Sequence, residues 1–142
     1  MIRYDDNLTP QAMARLRRSA GWGPFPAEQL AGALARSAFA AAAWDGEETV
    51  GMARMIGDGM YYYLCDVVVA PQARGRGIGR ALVARAIAFA RAQLAPGGRC
   101  SITLAAAPGR EAFYAHLGFR AIPGPDMGPG MQLRIQAPEP RP

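Results

Sequence analysis

A chain of 142 residues, 51% hydrophobic and 19% charged, has the size and composition of one globular domain able to bury a core without disulfides or structural metal. No run of eighteen residues is apolar and free of charge, and the N-terminus lacks the basic-then-apolar pattern of an export signal; neither a membrane span nor secretion is expected, and a cytoplasmic location is. The formal net charge of +5 rests on sixteen arginines and no lysine, scattered from Arg3 to Arg141, a distribution that argues against a nucleic-acid face. Cys65 and Cys100 are too few and too isolated for a disulfide framework or a metal site, and no metal is expected.

Ile2 to Tyr4 reads as a short strand. Thr9-Pro10 supplies an N-cap followed by proline in the first turn of a helix that runs to about Ala20. Gly21-Trp22-Gly23-Pro24-Phe25-Pro26 breaks the chain before a second helix, Ala27 to Ser37, with Leu30 and Leu34 on one face. The period then changes. Ala38 to Trp44 and Thr49 to Ile56 are apolar runs joined by a turn at Asp45-Gly46-Glu47-Glu48, and Gly57-Asp58-Gly59 turns the chain again into Tyr61 to Val69, whose aromatic and β-branched composition suits a central strand.

Ile78 to Leu94 is the strongest helical pattern, with Leu82, Val83, Ala86, Ile87, Phe89, Ala90 and Leu94 on one broad side, ended by Pro96-Gly97-Gly98. Cys100 to Ala106 reads as a further buried strand. A short helix from Pro108 through Leu117 closes on Gly118, and Phe119 to Ile122 with Met131 to Ile135 are expected to form a last strand pair. Residues 1–136 are thus expected to be a single domain and 137–142 a frayed, proline-rich tail.

The chemistry concentrates where the central strand meets the long helix. Val67-Val68-Val69-Ala70-Pro71 passes through Gln72-Ala73-Arg74-Gly75-Arg76-Gly77-Ile78-Gly79-Arg80, so three glycines at alternate positions precede or open a helix whose first amides point at a ligand. Arg74, Arg76 and Arg80 add positive charge. A P-loop is excluded because no lysine is present. A dinucleotide fingerprint fails because Arg80 stands where its third glycine is needed and no acidic residue follows at the ribose position.

Arg74-x-x-Gly77-x-Gly79 after a Val-x-Pro strand exit resembles the acyl-CoA signature of the GNAT superfamily of N-acetyltransferases, and the order of elements is similar to that fold over nearly the whole chain. The resemblance implies an α/β fold with a mixed sheet of about six or seven strands, splayed between the fourth and fifth, and about four helices. It implies acetyl-CoA as cosubstrate, with the backbone of Val67, Val68 and Val69 on the pantetheine arm and acyl carbonyl. Residues Arg74, Gly75, Arg76, Gly77, Ile78, Gly79 and Arg80 would take the pyrophosphate.

Phe113-Tyr114-Ala115-His116-Leu117-Gly118-Phe119 resembles the family's Phe-Tyr-x-x-x-Gly-Phe segment, which implies that Tyr114 protonates the departing thiolate. Ala107 and Ile102 stand where many relatives carry a general base. Asp66, inside an otherwise apolar strand, is the remaining acid beside the expected cleft. Two readings stand together: it deprotonates or anchors an amine, or it is a structural aspartate bonded to backbone or to an arginine such as Arg54. His116 and Glu111 suit solvated helix positions, and water-mediated deprotonation is a further route.

Trp22, Phe25, Tyr61, Tyr62 and Tyr63 are the aromatic candidates for an acceptor site, of which Trp22, Phe25, Tyr61 and Tyr63 are assigned to substrate. The block Gly51-x-Ala53-Arg54, Gly57-Asp58-Gly59 and Asp66-Val67-Val68-Val69-x-Pro71 is also similar to GNAT members of the plant serotonin acetyltransferase type, implying an arylalkylamine or polyamine acceptor. Two other functions remain open: an acyl-CoA-binding regulatory module without turnover, and an acetyltransferase of protein N-termini or aminoacyl-tRNA. The family's habits imply a homodimer.

Overall fold

The computed structural model describes residues 1–140, which divide into two compact units, Met1–Ala105 and a second that begins at Ala106. The first holds a five-stranded sheet in sequential order, β1 (Ile2–Asp5), β2 (Phe39–Asp45), β3 (Glu48–Gly57), β4 (Tyr61–Val69) and β5 (Ser101–Thr103). Neighbours pair antiparallel except β4 with β5, which run parallel. Helix α1 (Pro10–Ser19) and helix α2 (Ala27–Ala35) precede β2, and helix α3 (Ile78–Ala92) makes the β4-to-β5 crossover. The Thr9 side chain accepts from the Ala12 amide at 3.1 Å, and Pro10 sits in the first turn, so α1 starts where its capping chemistry says it should.

Small side chains let α3 settle on the sheet. A Cβ at Gly51 would lie 3.0 Å from Ile78 and 3.2 Å from Leu82, so that position marks the α3 face of β3. Cross-strand partners share a face, and Ala43 and Val69, the partners of Gly51, belong to it. Ile78, Leu82, Val83, Ala86 and Ala90 bury the matching stripe of α3, while Phe89 meets Phe39 at 5.5 Å and Tyr62 at 6.4 Å between ring centroids. On the opposite face, Met52, Val50 and Val68 alternate with those residues, and Met13, Leu16 and Leu30 supply the buried positions of α1 and α2.

One irregularity organises the functional end of the sheet. Arg54 pairs with Asp66 but Met55 pairs with Leu64, so Cys65 is an extra residue in β4, a β-bulge. Bulges bend and twist the strand that carries them. Strand β5 accordingly accompanies β4 only over Tyr61, Tyr62 and Tyr63, and the two part company just before the bulge. The strand expected from Cys100 to Ala106 therefore shortens to Ser101–Thr103, because its partner turns away.

The second unit corrects the expected strand count. Its one helix is α4 (Glu111–His116), and the Phe119–Ile122 and Met131–Ile135 pair does not form: among the described residues the only bridge there joins Gly124 to Met127. Two Gly-Pro clusters between the segments remove amide donors and raise the entropy of closure, and Met131, Leu133 and Ile135 remain exposed. Arg141 and Pro142, the end of the expected tail, lie outside the described residues.

The β3–β4 turn is sterically the tightest point. A Cβ at Gly57 would stand 2.3 Å from the Tyr61 carbonyl oxygen and 2.8 Å from Tyr62 Cα, both backbone atoms that cannot swing aside. Gly57→Ala is expected to cost about 1–3 kcal/mol, read as a lower urea midpoint at unchanged m value.

Candidate active site

The open edge of β4 is the first element of the site. The Ala70 amide donates to the Val50 carbonyl at 2.7 Å, which makes that position a hydrogen-bonded pair toward β3. Antiparallel ladders alternate, so Val68 also turns its backbone groups to β3, whereas Val67 and Val69 turn theirs away, to the side that β5 has vacated. Of the three valines assigned to cofactor, two turn their backbone groups to this open edge. Val68 serves as core instead, 4% exposed. At the end of this edge the Val69 carbonyl accepts from Arg74 Nε at 3.4 Å.

The second element is the start of α3. A short 3₁₀ turn, Pro71–Ala73, reverses the chain, and Gly75 and Gly77 then adopt left-handed φ values of 81° and 75°. Only glycine holds those angles cheaply. Gly77 is the N-cap residue and has no side chain to satisfy the first amides of α3, and the first turn has no acid. Nothing lies within 4 Å of a Cβ built at either glycine, so the loop presents bare backbone to open space. Four orphan N–H groups and the positive end of a fifteen-residue helix dipole make an anion seat. Arg74, Arg76 and Arg80 stand exposed around it, Arg76 held by Asp45 at 2.9 Å, while Ile78 is buried and anchors the helix by its side chain.

The third element is a buried ion cluster on the opposite sheet face from α3. Asp66 is 2% exposed. Its Oδ1 accepts from Arg17 Nη1 of α1 at 2.5 Å and its Oδ2 from Arg54 Nε of β3 at 2.8 Å. Arg54 Nη1 continues to Ser37 Oγ at 3.1 Å. The Arg17 guanidinium carbon lies over the Trp22 and Phe25 rings, 5.1 and 5.0 Å from their centroids. Both carboxylate oxygens are engaged by guanidinium groups, and the geometry therefore supports the structural reading of Asp66 over the catalytic one.

Alternation places Tyr61 and Tyr63 on this same face, exposed, whereas Tyr62 packs on α3. The loop aromatics Trp22 and Phe25 and the strand aromatics thus lie on one side of the sheet. Arg17 is the member of this cluster to which sequence reasoning gave no role. Its signal was present: it stands four residues after Met13, on the buried stripe of α1, where a charge requires a partner. Cys65, in the bulge, donates its thiol to the Arg54 carbonyl at 3.3 Å, and burial pushes its pKa up.

Tyr114 belongs to the second unit. Its ring meets Phe113 and Phe119 edge-on, at 4.9 and 5.7 Å between centroids, and its carbonyl accepts from the Phe119 and Leu117 amides. Burial raises the phenol above its ordinary pKa, partly offset by the Arg110 charge. The phenol is therefore held in its proton-bearing form.

Among the described residues, no group of three or more His, Cys, Asp or Glu is placed to hold a metal, and no helix is long and apolar enough to cross a membrane. A family model described as the acetyltransferase (GNAT) domain matches residues 7–128, and the chain belongs to that family. A probable acetyltransferase from meticillin-resistant Staphylococcus aureus is similar over 95% of this chain and 100% of its own, at 23% identity and a TM-score of 0.83. A GNAT-family protein from Streptococcus pneumoniae covers 96% and 98% of the two chains at 24% identity and a TM-score of 0.76. An acetyltransferase-like GNAT protein from Xanthomonas campestris covers 85% of each at 26% and 0.72. No curated protein sequence matches the chain. The protein is thus a GNAT-family acetyltransferase with the mixed α/β fold of that family.

Removing the Asp66 carboxylate would strand two buried guanidinium charges. Asp66→Ala is expected to destabilise the fold by about 3–5 kcal/mol in chemical denaturation, well beyond what loss of a solvated carboxylate would cost.

Proposed function

We propose that the protein transfers an acetyl group from acetyl-CoA to the primary amine of a small molecule, by direct attack within a ternary complex. The observation that carries this proposal is the continuity of the Val67 and Val69 strand edge with the uncapped start of α3. One elongated ligand with an amide-rich arm and a pyrophosphate suits that path: its amides complete the strand edge, and its phosphates meet the helix amides and Arg74, Arg76 and Arg80. The donor set is neutral amide plus arginine, which fits an anionic thioester carrier and requires no metal ligand.

In this mechanism the neutral amine attacks the thioester carbonyl carbon, forming the C–N bond and an oxyanion that backbone amides of β4 stabilise. The tetrahedral intermediate collapses with cleavage of the C–S bond. Tyr114, given this part by the family resemblance, transfers its phenolic proton to the leaving thiolate, and its raised pKa supports the role. The proton lost by the amine passes to water and restores the phenol. Asp66 is kept out of the proton path because both its oxygens are engaged, and it positions β4 instead.

Gly77→Glu places a negative side chain at the anion seat on a residue with left-handed φ. CoA affinity by calorimetry is expected to fall at least a hundredfold; unchanged affinity would show that the phosphates bind elsewhere. Tyr114→Phe is expected to lower kcat by about a hundredfold with CoA affinity intact. Because the acid form does the work and burial raises its pKa, wild-type activity should persist through neutral pH and fall only above the ordinary tyrosine range, about pH 10, a limb the variant should lack. Tight CoA binding without turnover on a broad amine panel would instead favour a CoA-binding regulatory module.

A further inference from the structure

We propose that the acceptor carries an anionic group, specifically a carboxylate close to its amine, and that Arg17 receives it. This rests on the acetyl-transfer proposal above, which places the reacting carbonyl at the edge beside Val67, the residue after Asp66.

The charge balance of the buried cluster is the starting point. Arg17 and Arg54 are 15% and 12% exposed at their side chains and share a single carboxylate, so two cations face one anion. No other acid pairs with either of them among the described residues: Asp5 serves Arg3 and Trp44, Asp45 serves Arg76, Glu48 serves Arg15, and Asp126 serves Arg120. Asp6, Glu28, Glu47, Glu111 and Glu139 are exposed, and the Asp58 carboxylate is occupied by the Met60 and Tyr61 amides. One positive charge is left over in a half-dry site, where it attracts an anion more strongly than in water.

The shape of the leftover charge is specific. Arg17 uses Nη1 on Asp66, and its guanidinium carbon lies over the Trp22 and Phe25 rings, 5.1 and 5.0 Å from their centroids. Nε is buried and has no hydrogen-bond partner. In a guanidinium, Nε and Nη2 form the side-on fork that matches the two oxygens of a carboxylate. A buried donor without a partner costs about 1–3 kcal/mol, and an arriving carboxylate would remove that cost. Phe25, whose ring lies against the Arg17 guanidinium, is 49% exposed in a glycine- and proline-rich loop.

The same balance disfavours the polyamine acceptor implied by the sequence resemblance. A dication would meet net positive charge at the cluster, whose one carboxylate, Asp66, is already engaged at both oxygens. The aromatic side chains on this face suit an amine with an apolar or aromatic body, and the carboxylate requirement narrows that class to amino acids.

The test compares phenylalanine with phenethylamine, the same body with and without the carboxylate, using wild type and Arg17→Lys. Lysine keeps the ion pair with Asp66 but not the fork. Wild type is expected to favour phenylalanine by 10- to 100-fold in kcat/KM, corrected for the neutral amine fraction, with the difference mainly in KM. Arg17→Lys should erase that preference, costing phenylalanine far more than phenethylamine. Equal or better use of phenethylamine by wild type, or an equal loss for both amines in the variant, would overturn the carboxylate proposal and leave acetyl transfer standing. Calorimetry on the CoA-loaded protein separates the two claims from the other side: carboxylate-dependent binding without any turnover would support the Arg17 fork and refute the transferase.

Discussion

The structure depends on a carboxylate that cannot leave its place. Asp66 ties three elements together, α1 through Arg17, β3 through Arg54 and its own strand β4, at the residue adjoining the Cys65 bulge. A buried ion pair of this kind contributes little net stability compared with a well-packed apolar core, because desolvation offsets most of the Coulomb attraction. Its value is geometric. Breaking it is expensive, so the strand has one register and one point of bending, and the edge beyond that point stays open.

Strand β4 consequently has two different uses along its length. Up to Tyr63 it is ordinary sheet, hydrogen-bonded on both sides. Past the bulge its side chains still pack the core, while Val67 and Val69 offer backbone groups to a ligand. Side-chain packing and backbone binding use different atoms of the same residues, and a strand can therefore serve both without conflict. Gly51 has a matching part on β3, where the lack of a side chain lets α3 approach and fixes where its first turn begins.

The two halves of the reaction are recognised by different physics. In the proposed reaction, the donor side rests on backbone amides, a helix dipole and exposed arginines, which read charge and length. The proposed acceptor side rests on a guanidinium beside two rings, where an unfilled fork leaves a buried donor unsatisfied.

The sequence by itself determined the order of elements, the glycine-rich start of α3 and the family, because these rest on local rules: hydrophobic period, capping residues, and glycine where φ is positive. It also flagged Asp66 as a charge needing compensation. What it did not reveal is pairing between distant segments. Whether Met131 to Ile135 finds a strand partner, whether Val68 faces the ladder or the gap, and whether Arg17 reaches Asp66 across 49 residues are decided by non-local geometry. A one-residue bulge at Cys65 shifts which residues share a face, and no local propensity announces it. The tertiary structure thus engaged both oxygens of Asp66 with guanidinium groups and brought Arg17 of α1 to it.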